Sequence, residues 1–550
     1  MRLVALLLLV GSTAWAGLTP VGANIAIISQ SDPLRDFHTP AVVANTTDDQ
    51  IIYLWNEDDG TGRYGVRVAG LTFEQSVQVT FFPVAVDIAG TNTRHVDAAY
   101  NPVDERTLIV WEEADTSASG AYEIWGRLME RDYSFVGDPF RISSAGTTDA
   151  QENADAGQPD VAANIVDGGF VVVWHADDFQ DGTVDGEFRI FARRIDGDGA
   201  LYGSANDAVS SLTGGTLPSA RAPAIAFDDL SQSYLLAYEA HDVGASAQPR
   251  IRATRLDSDA APNPSFADVL VGTPTAPVQL ERNPDVAYDS RGNRFLVGYD
   301  VVSVEASGSP ISRIVAARVD FAAALPLVDQ DVVVYTIPVG TGGFARDPSV
   351  AYSFATDNFT VAWSTAPGVP SDYESTVVAR EVSRDGVVGT ALLPVADTSS
   401  ATVGYRPQAV SPIVIADPSE PLLYSTWSGS LIGDFGNFGI FGQMLSQDVA
   451  TSTPSDRRPE RLALAAAPNP FNPATAISFA LPQDGRARVT IHDVRGQRVR
   501  VLVDENLSAG VHERTWNGTD HNGRAVASGI YFARIEHAGT TVNRKLTLVK

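Results

Sequence analysis

Between residues 38 and 446 apolar residues come in short runs or strict alternation, and no stretch carries the 3.6-residue period of a helix. Runs such as "TLIVW" (107–111) and "FVVVW" (170–174) end at turns built from Asp, Gly and Asn. Short apolar runs punctuated in this way predict strands.

The runs recur. A phrase close to R-x-P-x-V-A-Y appears as HTPAVVA (38–44), RHVDAAY (94–100), GQPDVAA (157–163), RAPAIAF (221–227), RNPDVAY (282–288), RDPSVAY (346–352) and YRPQAVS (405–411). The proline position serves as origin: Pro40, Val96, Pro159, Pro223, Pro284, Pro348 and Pro407. Fifteen residues later stand Trp55, Trp111, Trp174, Tyr238, Tyr299 and Trp363, while the seventh unit has Trp427 at twenty, behind a proline-rich insertion. An aromatic at one fixed offset is expected to pack between neighbouring units. Each unit reads as a short strand at the motif, a second ending near the aromatic, a third such as "RIFARRID" (189–196) and a weaker fourth such as "DPFRISS" (138–144). Four antiparallel strands per unit match a propeller blade, so an all-β, seven-bladed propeller is predicted over 17–446. The last unit lacks a fourth strand after "FGIFGQMLS" (438–446), and "GANIAIISQ" (22–30) lacks a partner. That segment is therefore expected to close the ring as the outer strand of the last blade.

A second pattern begins near the carboxy terminus. Residues 447–467 read as a linker, followed by "PNPFNP" at Pro468–Pro473 and about 80 residues of alternating strands. This predicts a small Ig-like β-sandwich over 468–550. The quoted motifs are Pro468, Asn469 and Pro470 in the opening, the turn at His492–Gln497 with Gly496, and Trp516–Gly523. Gly529 and Tyr531 follow in "SGIY", and Lys545 and Lys550 in the basic end at Arg544–Lys550. In combination they resemble the Ig-like domain of flagellar hook-capping proteins and the type A C-terminal sorting domains of the type IX (Por) secretion system. His492 stands for the usual Tyr and Asn517 for the usual Asp. The resemblance implies an address and attachment role with secretion machinery as partner, and PNPFNP as a stiff hinge before it. Residues 22–446 resemble a bacterial secreted seven-bladed propeller repeat protein.

The amino terminus points to the same destination. MRLVALLLLVGSTAWAG has a positive Arg2, an apolar run and Ala14-Trp15-Ala16, so residues 1–16 read as a secretory signal peptide. No later segment is apolar enough to span a bilayer as a helix. The chain has no cysteine, which excludes disulfides and thiolate chemistry. Charge is lopsided: residues 17–465 hold 27 basic against 60 acidic side chains, and 466–550 hold 11 against seven. Such a body repels nucleic acid.

Candidate chemistry is sparse. No zinc-protease, nucleophile-elbow, phosphate-loop or dinucleotide motif occurs, and the four propeller histidines have no metal-ligand spacing. The stretch after the blade aromatic is acidic in five successive units: Glu57, Asp58 and Asp59; Glu112, Glu113 and Asp115; Asp177, Asp178, Asp181 and Asp185; Glu239 and Asp242; and Asp300. Read as turns between the second and third strands, these residues would gather on one rim. Carboxylates at that density suit calcium, with Asp177, Asp178, Asp181 and Asp185 as candidate ligands, or a cation-bridged glycan. The leading expectation is an exported or surface-attached protein whose propeller binds a glycan or another surface protein without catalysis. The alternative is a secreted glycan- or polysaccharide-active enzyme on the same scaffold, distinguished by carboxylates converging at the central channel.

Overall fold

The computed structural model describes residues 18–28, 37–47, 50–58, 64–72, 82–85, 92–114, 122–144, 155–177, 188–203, 208–209, 219–241, 248–263, 268–272, 279–304, 310–320, 327–328, 331–337, 343–366, 376–395, 405–416, 422–431, 438–447, 462–467 and 471–549. They form seven antiparallel sheets, each four strands long in its main path, and a separate two-sheet sandwich. No helix among them is long and apolar enough to cross a membrane.

Seven innermost strands surround a central channel: Phe37–Asn45, Thr93–Asn101, Ala156–Ala163, Ser219–Asp228, Gln279–Asp289, Phe344–Ser353 and Tyr405–Ala416. Each lies against the next, and the first lies against the seventh, so the blades complete a ring. The second strands carry the repeated aromatic. Trp55, Trp111, Trp174, Tyr238, Tyr299, Trp363 and Trp427 are all buried. Trp111 belongs to an apolar cluster shared by blades 1 and 2, and Trp363 to one shared by blades 5 and 6. The seventh blade is completed from the other end of the chain. Leu18–Ile28 pairs antiparallel with Phe438–Gln447, running from Leu18 opposite Gln447 to Ile28 opposite Ile440. Residues 29 and 30 lie outside the described residues.

Each innermost strand is a sheet edge with unpaired N–H groups facing the axis. Immediately before the motif proline position its pairing slips in six blades, as between Arg94 and Asp97 or between Arg282 and Asp285. In five of them the residue at that position adopts a left-handed backbone: His95, Gln158, Ala222, Asn283 and Asp347 have φ of 42–52°. This costs about 1 kcal/mol each for a non-glycine residue, so surrounding contacts must hold the bulge. They do so with carboxylates. The residue after the motif proline position is Asp97, Asp160 or Asp285 in blades 2, 3 and 5. Asp97 accepts the N–H of Val161 at 3.1 Å, Asp160 that of Ile225 at 2.8 Å and Asp285 that of Val350 at 2.6 Å, each on the following blade. The three are half-buried at the channel wall. Desolvation raises all three pKa values; Asp97 and Asp160 share a hydrogen bond, and Asp285 is pushed up to about 7.

The opposite, lower rim carries a second recurring device. Five residues after the origin stand Asn45, Asn101, Asn164, Asp228, Asp289 and Ser353, all buried. Their side-chain oxygens accept N–H groups of the following turn, as Asn164 does from Val166 and Asp167 and Asp289 does from Arg291 and Gly292. These are turn caps.

The carboxy-terminal sandwich packs Ala463–Ala467, Thr475–Leu481 and Gly510–Trp516 over Arg498–Leu507, Gly485–Asp493, Gly529–His537 and Thr540–Leu548. Trp516 is fully buried between Phe471, at 5.3 Å, and Tyr531, at 5.2 Å. Tyr531 donates its hydroxyl to the carbonyl of Ala527. Gly496 takes φ of 76° in its turn, a conformation glycine adopts without strain. The linker expected over 447–467 is shorter in the structure, because Ala463–Ala467 is the first strand of the sandwich, seated by buried Leu462 and Leu464. The hinge expected of PNPFNP also changes. Phe471 exchanges backbone hydrogen bonds with Thr547 and Val549 and fills the core, so that residue belongs to the domain. Pro468, Asn469, Pro470 and Lys550 lie outside the described residues. Two basic residues of the last strand reach the lower rim of the propeller: Arg544 pairs with Asp229 at 2.7 Å, and Lys545 donates to the carbonyl of Val166 at 3.1 Å.

Two outcomes follow. Deleting residues 17–30 exposes the edge of Phe438–Gln447 and should abolish the propeller's calorimetric transition while the sandwich transition persists. The second concerns pH. Folding favours protonated Asp285, so its stabilisation is complete below the ordinary carboxylate value near 4 and is lost as pH rises through about 7. The propeller should melt at a lower temperature at pH 8 than at pH 5, and Asp285→Asn should narrow that difference.

Candidate functional site

The bulges place two residues per blade at the upper mouth of the channel. One lies two positions before the origin, and the other directly follows the blade aromatic; the two are cross-strand partners. Blade 1 pairs His38 with Asn56, blade 2 Arg94 with Glu112, blade 3 Gly157 with His175, blade 4 Arg221 with Glu239, blade 5 Arg282 with Asp300 and blade 6 Arg346 with Ser364. Four arginines thus stand around the mouth, all exposed. Behind them Glu112, Glu239 and Asp300 are buried.

The carboxylates are held differently. Glu112 forms an ion pair with Arg94 at 3.1 Å, lies 2.6 Å from the Nδ1 of His95, and accepts the N–H of Gln158, the bulge residue of blade 3, at 2.7 Å. Burial opposes its ionisation, yet His95, Gln158 and Arg94 together hold its pKa below the usual value. Asp300 accepts from Asn283 at 2.9 Å, and desolvation pushes it up to about 7. Asp347 is raised by burial as well. Glu239 sits 2.6 Å from His241.

Blade 3 departs from the pattern. Gly157 takes the place of an arginine, and His175 the place of the acid. A side chain at Gly157 would come within 3.2 Å of both His175 and Glu112, so the glycine opens the space the imidazole needs. Desolvation pushes His175 down to about 4, leaving it neutral at physiological pH. Its Nδ1 is buried without a hydrogen-bond partner among the described residues. On either side the Arg94 guanidinium lies 3.3 Å above the Tyr122 ring and that of Arg221 lies 4.1 Å above Phe188.

The acidic residues expected in upper turns are mostly strand residues. Glu57 and Asp58 end Gln50–Asp58, Glu112 and Glu113 lie inside Arg106–Ala114, Asp177 ends Phe170–Asp177, and Glu239 lies inside Ser233–His241. The second strand runs past its aromatic because these carboxylates are paired. Glu57 meets Arg67 at 3.1 Å, and Glu113 accepts from Trp111 Nε1 at 2.8 Å. Glu57, Glu112, Glu113, Asp177 and Glu239 are all buried, so the picture of a solvated acidic rim does not apply to them. Asp59, Asp115, Asp178, Asp181, Asp185 and Asp242 lie outside the described residues. Among the described residues no three His, Asp or Glu side chains come together as a metal-holding set. The arginines were visible in the repeat phrase itself, but nothing in the sequence tells which residue of R-x-P faces the mouth.

A crevice of about 370 Å³ on the lower rim is a weaker candidate. It is lined by Asp104, Arg106, Asp167, Arg194, Asp196 and Asp198 among others. Its charges are spent on the fold: Arg106 pairs with Glu130, Arg194 pairs with Asp196 and Asp259, and Asp104 caps the N–H of Gly169.

Residues 469–540 match the family model of the FlgD Ig-like domain. No curated protein matches the chain. Among solved structures the chain is similar to the Hadza microbial sialidase Hz136, at 9% identity over 73% of this chain and 77% of that one, with a TM-score of 0.42. It is similar to the Penicillium chrysogenum α-L-arabinanase complexed with arabinobiose, at 14% identity over 77% and 98%, TM-score 0.39. It is also similar to PorZ, a surface component of the type-IX secretion system of Porphyromonas gingivalis, at 14% identity over 97% and 75%, TM-score 0.26. Likeness at this level bears on neither activity nor ligand.

Proposed function

We propose that the chain is an exported, glycan-active propeller whose site is the upper mouth of the channel. The reading is carried by two carboxyls of the mouth, one on blade 2 and one on blade 5, whose surroundings favour opposite protonation states. Glu112 is held ionised by Arg94 and His95, while Asp300 keeps its proton up to about pH 7. Glycoside hydrolysis needs one carboxylate and one carboxylic acid, and environments that push two pKa values apart supply that division. A non-catalytic glycan-binding propeller is the second reading, and a specific observation favours it. Both oxygens of Glu112 are already engaged, by Arg94, His95 and the Gln158 N–H. A screen of the full chain against neutral and acidic polysaccharides decides between them. Release of reducing ends, lost in Glu112→Gln and Asp300→Asn variants that still bind, supports hydrolysis. Binding with no release supports the second reading, and neither binding nor release removes both.

We infer also that residues 1–16 direct export and that the sandwich serves sorting and attachment. The motif set of residues 468–550 and its basic end support this. A chain lacking 466–550 should fold its propeller and fail to reach the cell surface; normal surface display would leave the sandwich a passive spacer.

A further inference from the structure

The arginines at the mouth are not matched by the acids behind them. Arg94 is compensated by Glu112 and Arg346 by Asp347, at 3.1 and 3.4 Å. Arg221 and Arg282 have no carboxylate partner among the described residues, although Glu239 and Asp300 stand opposite them in register. Glu239 is taken by His241, and Asp300 by Asn283. Both guanidiniums are thus exposed with no carboxylate against them among the described residues, and that of Arg221 lies 4.1 Å above the Phe188 ring. An arginine fork matches a planar carboxylate through two parallel N–H donors. In the order of the blades, Gly157 leaves blade 3 without an arginine between Arg94 and Arg221, and beside it His175 is neutral, with a ring nitrogen unpartnered among the described residues. The body around this mouth is strongly acidic, so within the propeller the exposed arginines are where a polyanion would be attracted.

We propose that the mouth binds acidic polysaccharides, chains whose sugars carry carboxylates, and that Arg221, exposed beside blade 3, meets one of those carboxylates. Arg282 meets a second carboxylate further round the ring. This rests on the glycan reading above and names its ligand class.

The test is titration calorimetry of the full chain with three probes: oligogalacturonate, the same oligomer fully methyl-esterified, and dextran sulfate. The acid should bind, and the ester should bind at least about tenfold more weakly, the loss expected when a charge-assisted contact is removed. Arg221→Ala and Arg282→Ala should each weaken the acid by about tenfold or more without shifting the melting temperature. Arg131→Ala, an exposed residue paired with Glu105 on the lower rim, should change nothing. Equal binding of acid and ester overturns carboxylate recognition and leaves the glycan reading standing. Dextran sulfate binding as tightly as the acid overturns it in favour of unspecific polyanion attraction. Failure of all three probes overturns this inference, and the polysaccharide screen then decides the glycan reading separately. Unchanged affinity in both arginine variants moves the site away from the mouth.

Discussion

A propeller puts the open edge of every sheet at its centre, and the rest of this structure depends on how those edges are satisfied. The N–H groups of an innermost strand that face the axis have no strand to bond. Here carboxylates from the preceding blade reach across and accept them: Asp97 to Val161, Asp160 to Ile225, Asp285 to Val350, and Glu112 to Gln158 at the mouth. A buried unpaired N–H is costly, so each bond does more for the ring than its net strength implies. The arrangement also explains why desolvated acids are tolerated so near one another. They can carry protons, and Asp97 and Asp160 share one through a hydrogen bond.

The same bulges that create this demand also build the mouth. Slipping the register by one residue turns the motif arginine outward and leaves the following residue in a left-handed backbone. Repetition then multiplies one local event into a ring. Function requires that the ring not be uniform, and blade 3 supplies the exception: a glycine where its neighbours have arginine and a histidine where they have acid. Symmetry in this chain belongs to the fold, and the departures from it mark where chemistry can occur.

The large features were legible because they repeat. An aromatic at one offset, a count of motif copies and an unpartnered amino-terminal run are properties of the string of residues, and they led to seven blades and a closing strand, while alternation and turn motifs led to the sandwich. What was not legible depends on register. Glu112 and Glu239 look like turn residues after an aromatic, and only the pairing with bulge N–H groups, arginine or histidine keeps them inside strands. Ala463–Ala467 has no alternation to betray a strand, since Leu464 is the one large side chain in the run. The arginines were in plain sight as part of a motif, yet a motif does not say which of its positions a bulge will rotate toward the axis.

The seam joining Leu18–Ile28 to Phe438–Gln447 has a consequence in time. The amino-terminal strand pairs with one of the last of the ring to be made, so the seventh blade cannot be completed until all seven units have been synthesised. Joining such distant segments brings a loop-closure entropy cost and a slow, non-local step. Until then both seam strands offer open edges to any other chain that passes. A ring that cannot lock until its two ends meet is therefore assembled last at its seam, whatever the order in which its other blades form.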